Sequence, residues 1–254
     1  MRINRAVLVL IWAAALAGQA PAARADEITV LCSNGIKAVV EDLAPKFEAA
    51  TGHRVIVKYG LAALLKQRIE GGEAFDAAVL TPAAIDDLAA RGTIAAGSRT
   101  TLARTGLAIA VRAGAPKQDV STVEALKRAL LDARGIAYAK EGASGVAFAA
   151  IIRRLGIAEA LEPKSRLTAT GEEVGQSVIR GDTEFGILPV SEILPVKGVE
   201  VLGRFPAEIQ SYIVMVGGVA AASRHQAAAK AFLASLAAPA AYPVLEAKGM
   251  EPVR

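Results

Sequence analysis

Several turns rich in glycine and small polar residues follow apolar segments, and their residue types suit the binding of an anion. Four such turns stand out: Cys32-Ser33-Asn34-Gly35, Gly60-Leu61-Ala62, Thr81-Pro82 and Gly142-Ala143-Ser144-Gly145. Each lies between a predicted strand and a predicted helix, whose first backbone N–H groups have no partner and carry a partial positive charge. Taken singly, the hydroxyl residues could be ordinary helix caps. Together, the four turns favour a shared anion site.

Three further side chains are candidates for the same site. Arg104 precedes the apolar segment 107–111. Its guanidinium could bind a carboxylate through two hydrogen bonds, or form a salt bridge within the protein. Ser191 and Glu192 follow the apolar segment 184–189, so both could face a cleft. An ionised Glu192 would repel an anion, so this residue is either peripheral or a proton-transfer group.

Motifs for metal or nucleophilic chemistry are absent from the sequence. The two histidines, His53 and His225, are far apart, and the single cysteine, Cys32, belongs to no zinc-ligand pattern. There is no phosphate-binding loop, no dinucleotide fingerprint and no nucleophile elbow. We therefore expect no metal and no cofactor, with both histidines at the surface. Cys32 is expected to be a buried, small apolar residue.

The N-terminus has the layout of a secretory signal peptide. Arg2 and Arg5 precede an apolar run at residues 6–17, and Ala23-Arg24-Ala25 offers small residues for cleavage before Asp26. Removing the three arginines of residues 1–25 from the 29 basic residues leaves 26 against 25 acidic residues. This even balance, with few aromatic residues, argues against a nucleic-acid partner. The sequence predicts a protein secreted to the periplasm.

Short apolar runs alternate with amphipathic helical patterns along the rest of the chain. The predicted strands are residues 27–31, 54–59, 75–80, 107–111, 135–139, 184–189, 199–202 and 211–219. Ser121 with Glu124, and Thr170 with Glu173, have the spacing of capping boxes at helix starts. Strand and helix in alternation predict parallel sheets covered on both faces. Because ligands of such sheets bind beyond the carboxyl ends of the strands, the candidate turns should meet there.

The order of these motifs resembles a known family. Ser33-Asn34, the segment FEAATG at 47–52, LLKQRIEGG at 64–72, FDAAVL at 75–80 and KGMEP at 248–252 are similar to the molybdate-type extracellular solute-binding proteins of ABC transporters. The resemblance implies an α/β, two-lobed type 2 periplasmic binding protein fold, each lobe a mostly parallel sheet flanked by helices. It places lobe one at residues 26–104 and 205–254, and lobe two at residues 105–204. The partners implied are a small anion and a membrane permease, with the protein a monomer.

The resemblance also bears on the ligand. The family's oxyanion site uses one serine after the first strand and another after the second. Ser33 matches the first, but Gly60-Leu61-Ala62-Ala63 contains no serine. This departure favours an organic carboxylate over molybdate or tungstate.

Two functions remain open on this basis. The ligand-binding residues expected are Ser33, Asn34, Gly60, Leu61, Thr81, Arg104, Ser144, Gly145 and Ser191. The first function is anion capture for an ABC transporter. The segments 102–106 and 112–116, and 136–138 with 142–145, are similar to a divergent branch that includes periplasmic aconitate isomerase. The alternative is therefore an isomerase acting on a tricarboxylate such as aconitate, with Glu192 as its catalytic acid–base group.

Overall fold

The computed structural model describes residues 25–253, so the proposed signal peptide lies outside the described residues except for Ala25. Ten strands occur in this part of the chain: β1 (Glu27–Ser33), β2 (Arg54–Gly60), β3 (Ala77–Leu80), β4 (Thr100–Arg112), β5 (Ile136–Ala139), β6 (Ser165–Thr168), β7 (Phe185–Pro189), β8 (Val199–Arg204), β9 (Tyr212–Val219) and β10 (Glu251–Pro252). The α-helices are α1 (Lys37–Thr51), α2 (Ala62–Glu70), α3 (Pro82–Ala90), α4 (Val123–Asp132), α5 (Ala143–Arg154), α6 (Ala158–Leu161), α7 (Gly171–Arg180), α8 (Val190–Ile193), α9 (Gln226–Ala237) and α10 (Tyr242–Ala247).

The long strand β4 joins two sheets. The strand order is β2-β1-β3-β9-β4-β7-β5-β6, with β8 and β10 also paired to β4. Residues 100–106 of β4 pair with β9, and residues 107–112 pair with β7 and β8. Each end of the order is a parallel group of three strands, whereas the strands at the junction run antiparallel. We call the β1, β2, β3 and β9 side lobe one, and the β5 to β8 side lobe two.

Each sheet is covered by helices on both faces, because its strands bury both sets of alternating side chains. In lobe one, Ile28 and Val30 of β1 pack with α1 and α9, while Leu31 faces α2 and α3. In lobe two, Ile109 of β4 packs with α4 and α5, and Ala110 faces α7. This arrangement confirms the predicted two-lobed α/β fold. The exact lobe boundaries stay a prediction, although β4 changes its pairing partners close to the first of them.

Several local predictions need correction. The strand predicted at residues 107–111 begins at Thr100, because residues 100–106 pair with β9. Strand β6 was not predicted, since it is short and half of its residues are exposed. Thr122, and not Ser121, caps α4 by accepting a hydrogen bond from the Ala125 N–H, whereas Ser121 donates to Asp119. Thr170 caps α7 as predicted.

The two chain crossings between the lobes are tied to the C-terminal strand. The Glu251 carboxylate accepts hydrogen bonds from Arg104 Nε at 2.9 Å and Arg204 Nη1 at 3.1 Å. Arg104 also lies over the Tyr212 ring, 4.3 Å from its centroid. A buried hydrogen bond from Ser191 Oγ to the Gly35 carbonyl, 2.8 Å long, connects α8 to the turn after β1.

Within residues 25–253, no single helix has the length and apolar character needed to span a membrane. Helix α9 and the segment Pro239–Ala247 reach that length and apolar character only when they are taken together across a bend of 57°.

Gly145 allows α5 to begin directly over the end of β5. A Cβ atom at this position would collide with the Ala139 carbonyl oxygen. We predict that Gly145→Ala lowers the free energy of unfolding by about 1–3 kcal/mol, because backbone must move to relieve the overlap. Gly175→Ala in α7 is the matched control, since its Cβ would meet only Val196 Cγ1 at 3.8 Å. Urea unfolding of both variants measures the difference, and equal stability would contradict the packing described.

Candidate functional site

A cleft of about 440 Å³ lies where the carboxyl ends of strands from both lobes meet. Lobe one contributes the ends of β1 and β3 and the starts of α2 and α3. Lobe two contributes the end of β5 and the starts of α5, α7 and α8. The floor comes from Ile213 and Met215 of β9. The polar or charged side chains at its wall are Ser33, Asn34, Lys66, Thr81, Glu141, Ser144 and Glu192.

Three hydroxyls at this cleft have no hydrogen-bond partner among residues 25–253. Ser33 precedes a short 3₁₀ helix (Asn34–Ile36) and Thr81 precedes α3, yet neither side chain makes a capping hydrogen bond to the helix that follows it. Ser144 lies in the first turn of α5, one residue inside its start, and is buried. By contrast, Thr122 and Thr170 cap helices outside the cleft by accepting backbone N–H bonds. The cleft hydroxyls are thus not serving as caps and remain available to a ligand.

Helix N-termini surround the same space. Helices α2, α3, α5 and α7 each direct a first turn toward the cleft, through Ala62, Ala83, Ala143 and Gly171. First-turn N–H groups have no partner within a helix and sum with the helix dipole to a partial positive charge. Four such termini converging from two lobes make a site for negative charge without requiring a cation.

Lys66, the one lysine that lines the cleft among residues 25–253, has its positive charge matched by two carboxylates. Lys66 Nζ lies 2.6 Å from Glu70 Oε1 and 2.8 Å from Asp87 Oδ2. These hydrogen bonds, the one to Asp87 foremost, raise the pKa of Lys66 and keep it charged. Because its charge is matched by two carboxylates, Lys66 contributes little net attraction for an anion. Donors from backbone N–H groups, hydroxyls and the Asn34 amide therefore carry the binding capacity of the cleft.

Glu192 places a partly buried carboxyl at the wall of this cleft. Its carboxyl is partly buried between Gly35 of lobe one and Gly171 at the start of α7. Within residues 25–253 it has no hydrogen-bond or ion-pair partner. Burial raises the pKa of the Glu192 carboxyl to about 7. A carboxyl with this pKa exchanges its proton near neutral pH, as a general acid or base must.

Not every residue predicted for the site reaches the cleft. Ser33, Asn34, Leu61, Thr81, Ser144 and Glu192 line it. Gly60 ends β2 against Leu65, and Gly145 packs on Ala139. Ser191 bonds to Gly35 behind the cleft wall. Arg104 is held at the crossing by Glu251, which corresponds to the salt-bridge alternative.

The two histidines lie away from the cleft and both contact Asp26. His53 Nδ1 accepts from the Asp26 N–H, and His225 Nδ1 lies 3.0 Å from Asp26 Oδ1. Cys32 is fully buried in β1, and burial raises the pKa of its thiol. Within the described residues, no three His, Cys, Asp or Glu side chains are grouped as metal ligands would be.

Sequence reasoning missed several lining residues. Gly171 follows the Thr170 cap, so the rule about strand ends could have found it had β6 been recognised as a strand. Ile213 and Met215 lie within β9, and an apolar strand residue gives no signal of its own. Glu141 immediately precedes a turn that was singled out, but an acidic residue gives no positive signal for an anion site.

Comparison with known proteins agrees with this geometry. Two α/β lobes with a cleft at their strand ends define the class of two-lobed binding proteins. The family model described as bacterial extracellular solute-binding protein matches residues 28–251, so the chain belongs to this family. An aconitate isomerase from a Pseudomonas species is 34% identical over 236 residues, covering 89% of this chain and 88% of that protein.

Molybdate- and sulfate-binding proteins are similar as well. The molybdate-binding protein ModA of Azotobacter vinelandii is 29% identical over 177 residues, 68% of each chain. The solved structure of the periplasmic molybdate-binding protein of that organism has a TM-score of 0.76 at 19% identity, covering 89% of this chain and 100% of that one. The sulfate-binding protein SubI from Mycobacterium tuberculosis H37Rv gives 0.71 at 20% identity, covering 90% and 87%. At these identities the structures show the shared fold.

The raised pKa of Glu192 makes stability depend on pH. The folded-state pKa of about 7 exceeds the ordinary value of 4.5, so the folded protein holds a proton that the unfolded chain releases between these values. The contribution of Glu192 to the free energy of unfolding is therefore fully present below pH 4.5 and is lost as the pH rises toward 7. Glu192→Gln removes the cost of ionising this buried carboxyl. We therefore predict that the substitution changes the free energy of unfolding more favourably at pH 8 than at pH 4, by about 1–3 kcal/mol.

Urea unfolding at the two pH values measures this difference. Glu141→Gln is the control, because it removes an exposed carboxyl from the same cleft. An equal effect of Glu192→Gln at both pH values would contradict the burial of its carboxyl.

Proposed function

We propose that the protein captures a small organic anion bearing carboxylate groups in the cleft between its lobes. The observation that carries this proposal is the set of three hydroxyls, Ser33, Thr81 and Ser144, that line the cleft without bonding to their own helices. They stand beside first-turn amides from both lobes. An anion is the ligand that satisfies all of these donors together.

The walls favour an organic ligand over a metal oxyanion. Leu61, Ala62 and Ala63 stand where the molybdate-type relatives are expected to place a second serine. Together with Val146, Ile213 and Met215 they make much of the cleft apolar. A volume of about 440 Å³ suits a carbon skeleton with several carboxylates, whereas a bare tetrahedral oxyanion would leave most of it unfilled.

Capture follows from the two-lobed fold. Ser33 and Thr81 belong to lobe one and Ser144 to lobe two, so a ligand that contacts all three bridges the two lobes. A ligand that binds the closed state better shifts the population toward it. We propose that the closed protein, exported to the periplasm and acting as a monomer, delivers its ligand to the membrane permease of an ABC transporter.

An isomerase is the second candidate, favoured by Glu192 and by the 34% identity to an aconitate isomerase. The ionised Glu192 carboxylate would take a proton from the methylene carbon of trans-aconitate. The electron pair left behind would delocalise over the neighbouring double bond and carboxylate. The protonated carboxyl would return the same proton to the far carbon of that double bond, shifting its position. Helix N-termini and cleft hydroxyls would stabilise the transient negative charge.

The capture proposal predicts binding that depends on the cleft hydroxyls. Calorimetry of the chain from residue 26, with trans-aconitate, citrate, propane-1,2,3-tricarboxylate, molybdate and sulfate, should give heat with at least one carboxylate. Ser33→Ala or Thr81→Ala should weaken that binding about 10- to 100-fold, because each removes a hydrogen bond to a charged group.

Thr122→Ala is the control for these variants. It removes the cap of α4 and should lower stability by about 1 kcal/mol while leaving affinity unchanged. Absence of heat and of any thermal shift with every anion would reject the proposal.

The isomerase candidate predicts turnover. Incubation with trans-aconitate should yield cis-aconitate, which chromatography measures. Glu192→Gln should reduce the rate of this conversion at least about 100-fold, because the group that carries the proton is lost. Binding of trans-aconitate to Glu192→Gln should persist. Binding by the unaltered protein without conversion would leave the capture function alone standing.

A further inference from the structure

A second cavity of about 300 Å³ adjoins the ligand cleft on the far side of Glu192. It lies between α1 of lobe one and α7 and α8 of lobe two. Asn34, Gly171 and Glu192 line both spaces. The Glu192 carboxyl is therefore part of the wall between them, and the second cavity gives it a route to solvent that does not pass through the ligand cleft.

No counter-charge reaches this carboxyl from the elements around it. Lys37 of α1 faces Glu41 at 3.8 Å, and Lys66 is held by Glu70 and Asp87. The titratable groups that border the two spaces around Glu192 are Lys37, Glu41, Lys66, Glu141 and Glu172. None of them forms a hydrogen bond or ion pair with Glu192 within residues 25–253. Burial alone therefore disfavours the ionised form of Glu192.

We propose that capture of a carboxylate ligand is coupled to the uptake of one proton by Glu192, which enters through the second cavity. This inference rests on the proposed capture function. Two carboxylates that share one site cannot both remain ionised at low cost, so an anion in the cleft favours the protonated form of Glu192. The protonated carboxyl then donates its O–H to a ligand oxygen, and repulsion is replaced by a charge-assisted hydrogen bond.

Gly171 is the positioning residue for this carboxyl. A Cβ atom at Gly171 would collide with Glu192 Oε2, so only glycine leaves the carboxyl its place beside the start of α7. On the opposite side, a Cβ at Gly35 would lie 3.8 Å from Glu192 Oε1. The carboxyl thus lies between one glycine of each lobe, and the lack of a Cβ atom at Gly171 leaves it room at the border of the ligand cleft.

The coupling predicts a particular pH dependence. With a pKa of about 7 in the ligand-free protein, Glu192 is already protonated at pH 5.5 and is mostly ionised at pH 8. Affinity should be constant at low pH and fall by up to about tenfold per pH unit above neutrality. The isomerase candidate requires the ionised form instead, so its turnover should rise with pH over the same range.

Calorimetry in buffers of different ionisation enthalpy counts the protons taken up. The probe is propane-1,2,3-tricarboxylate, which has no double bond to isomerise. At pH 8 we expect uptake of about 0.5 to 1 proton per ligand bound, falling to about 0.2 to 0.3 at pH 6.5, where the ligand is still mostly ionised but most of the free Glu192 is already protonated. In Glu192→Gln the uptake at pH 8 should vanish and the affinity should no longer depend on pH.

A matched glycine pair tests the position of the carboxyl. Gly171→Ala should reduce the uptake at pH 8, whereas Gly175→Ala in the same helix should leave it unchanged, because its Cβ meets only Val196. Binding without proton uptake, or uptake that survives in Glu192→Gln, would overturn the coupling and leave the capture function intact. Absence of binding by every carboxylate would reject both.

Discussion

The proposed anion would have to be held without an unpaired cation from residues 25–253, and this constraint explains most of the construction of the cleft. Lys66 is matched by two carboxylates, and Arg104 is held outside by Glu251. What remains is backbone N–H groups, hydroxyls and the Asn34 amide, each a weak donor alone. They become effective because the fold directs several of them at one point and burial lowers the local dielectric constant. A site of this kind depends on the placement of whole helices more than on any single side chain.

The placement of those helices rests on close backbone packing at glycines. Gly145 lets α5 begin against the Ala139 carbonyl, and Gly171 leaves room for Glu192. Both glycines are at helix starts that face the cleft, where a methyl group would displace either the helix or the carboxyl. Their role is to allow close approach, since neither residue has a positive φ angle.

The part of the site that sequence could predict is the part built from local rules. Ser33, Thr81 and Ser144 each follow a strand and begin a helix, and the strand-end rule alone places them at the cleft. Arg104 could not be assigned in this way, because its partner Glu251 is 147 residues away in the chain. Met215 was likewise invisible, since it reaches the floor only through the insertion of β9 between β3 and β4. Pairing between distant parts of the chain determines where such residues lie, and the local sequence around them does not indicate that pairing.

The position of β9 has a consequence for how the chain acquires its structure. Lobe one cannot complete its sheet until β9 pairs with β3, which joins Ala77 to Val219 across the whole of lobe two. Contacts so distant in sequence form slowly, because the loop between them must be closed first. The sheet of lobe one thus stays incomplete until nearly the whole chain has been synthesised. For a protein that we propose to be exported, such a delay would favour an emerging polypeptide that is still unfolded when it passes through a translocation channel.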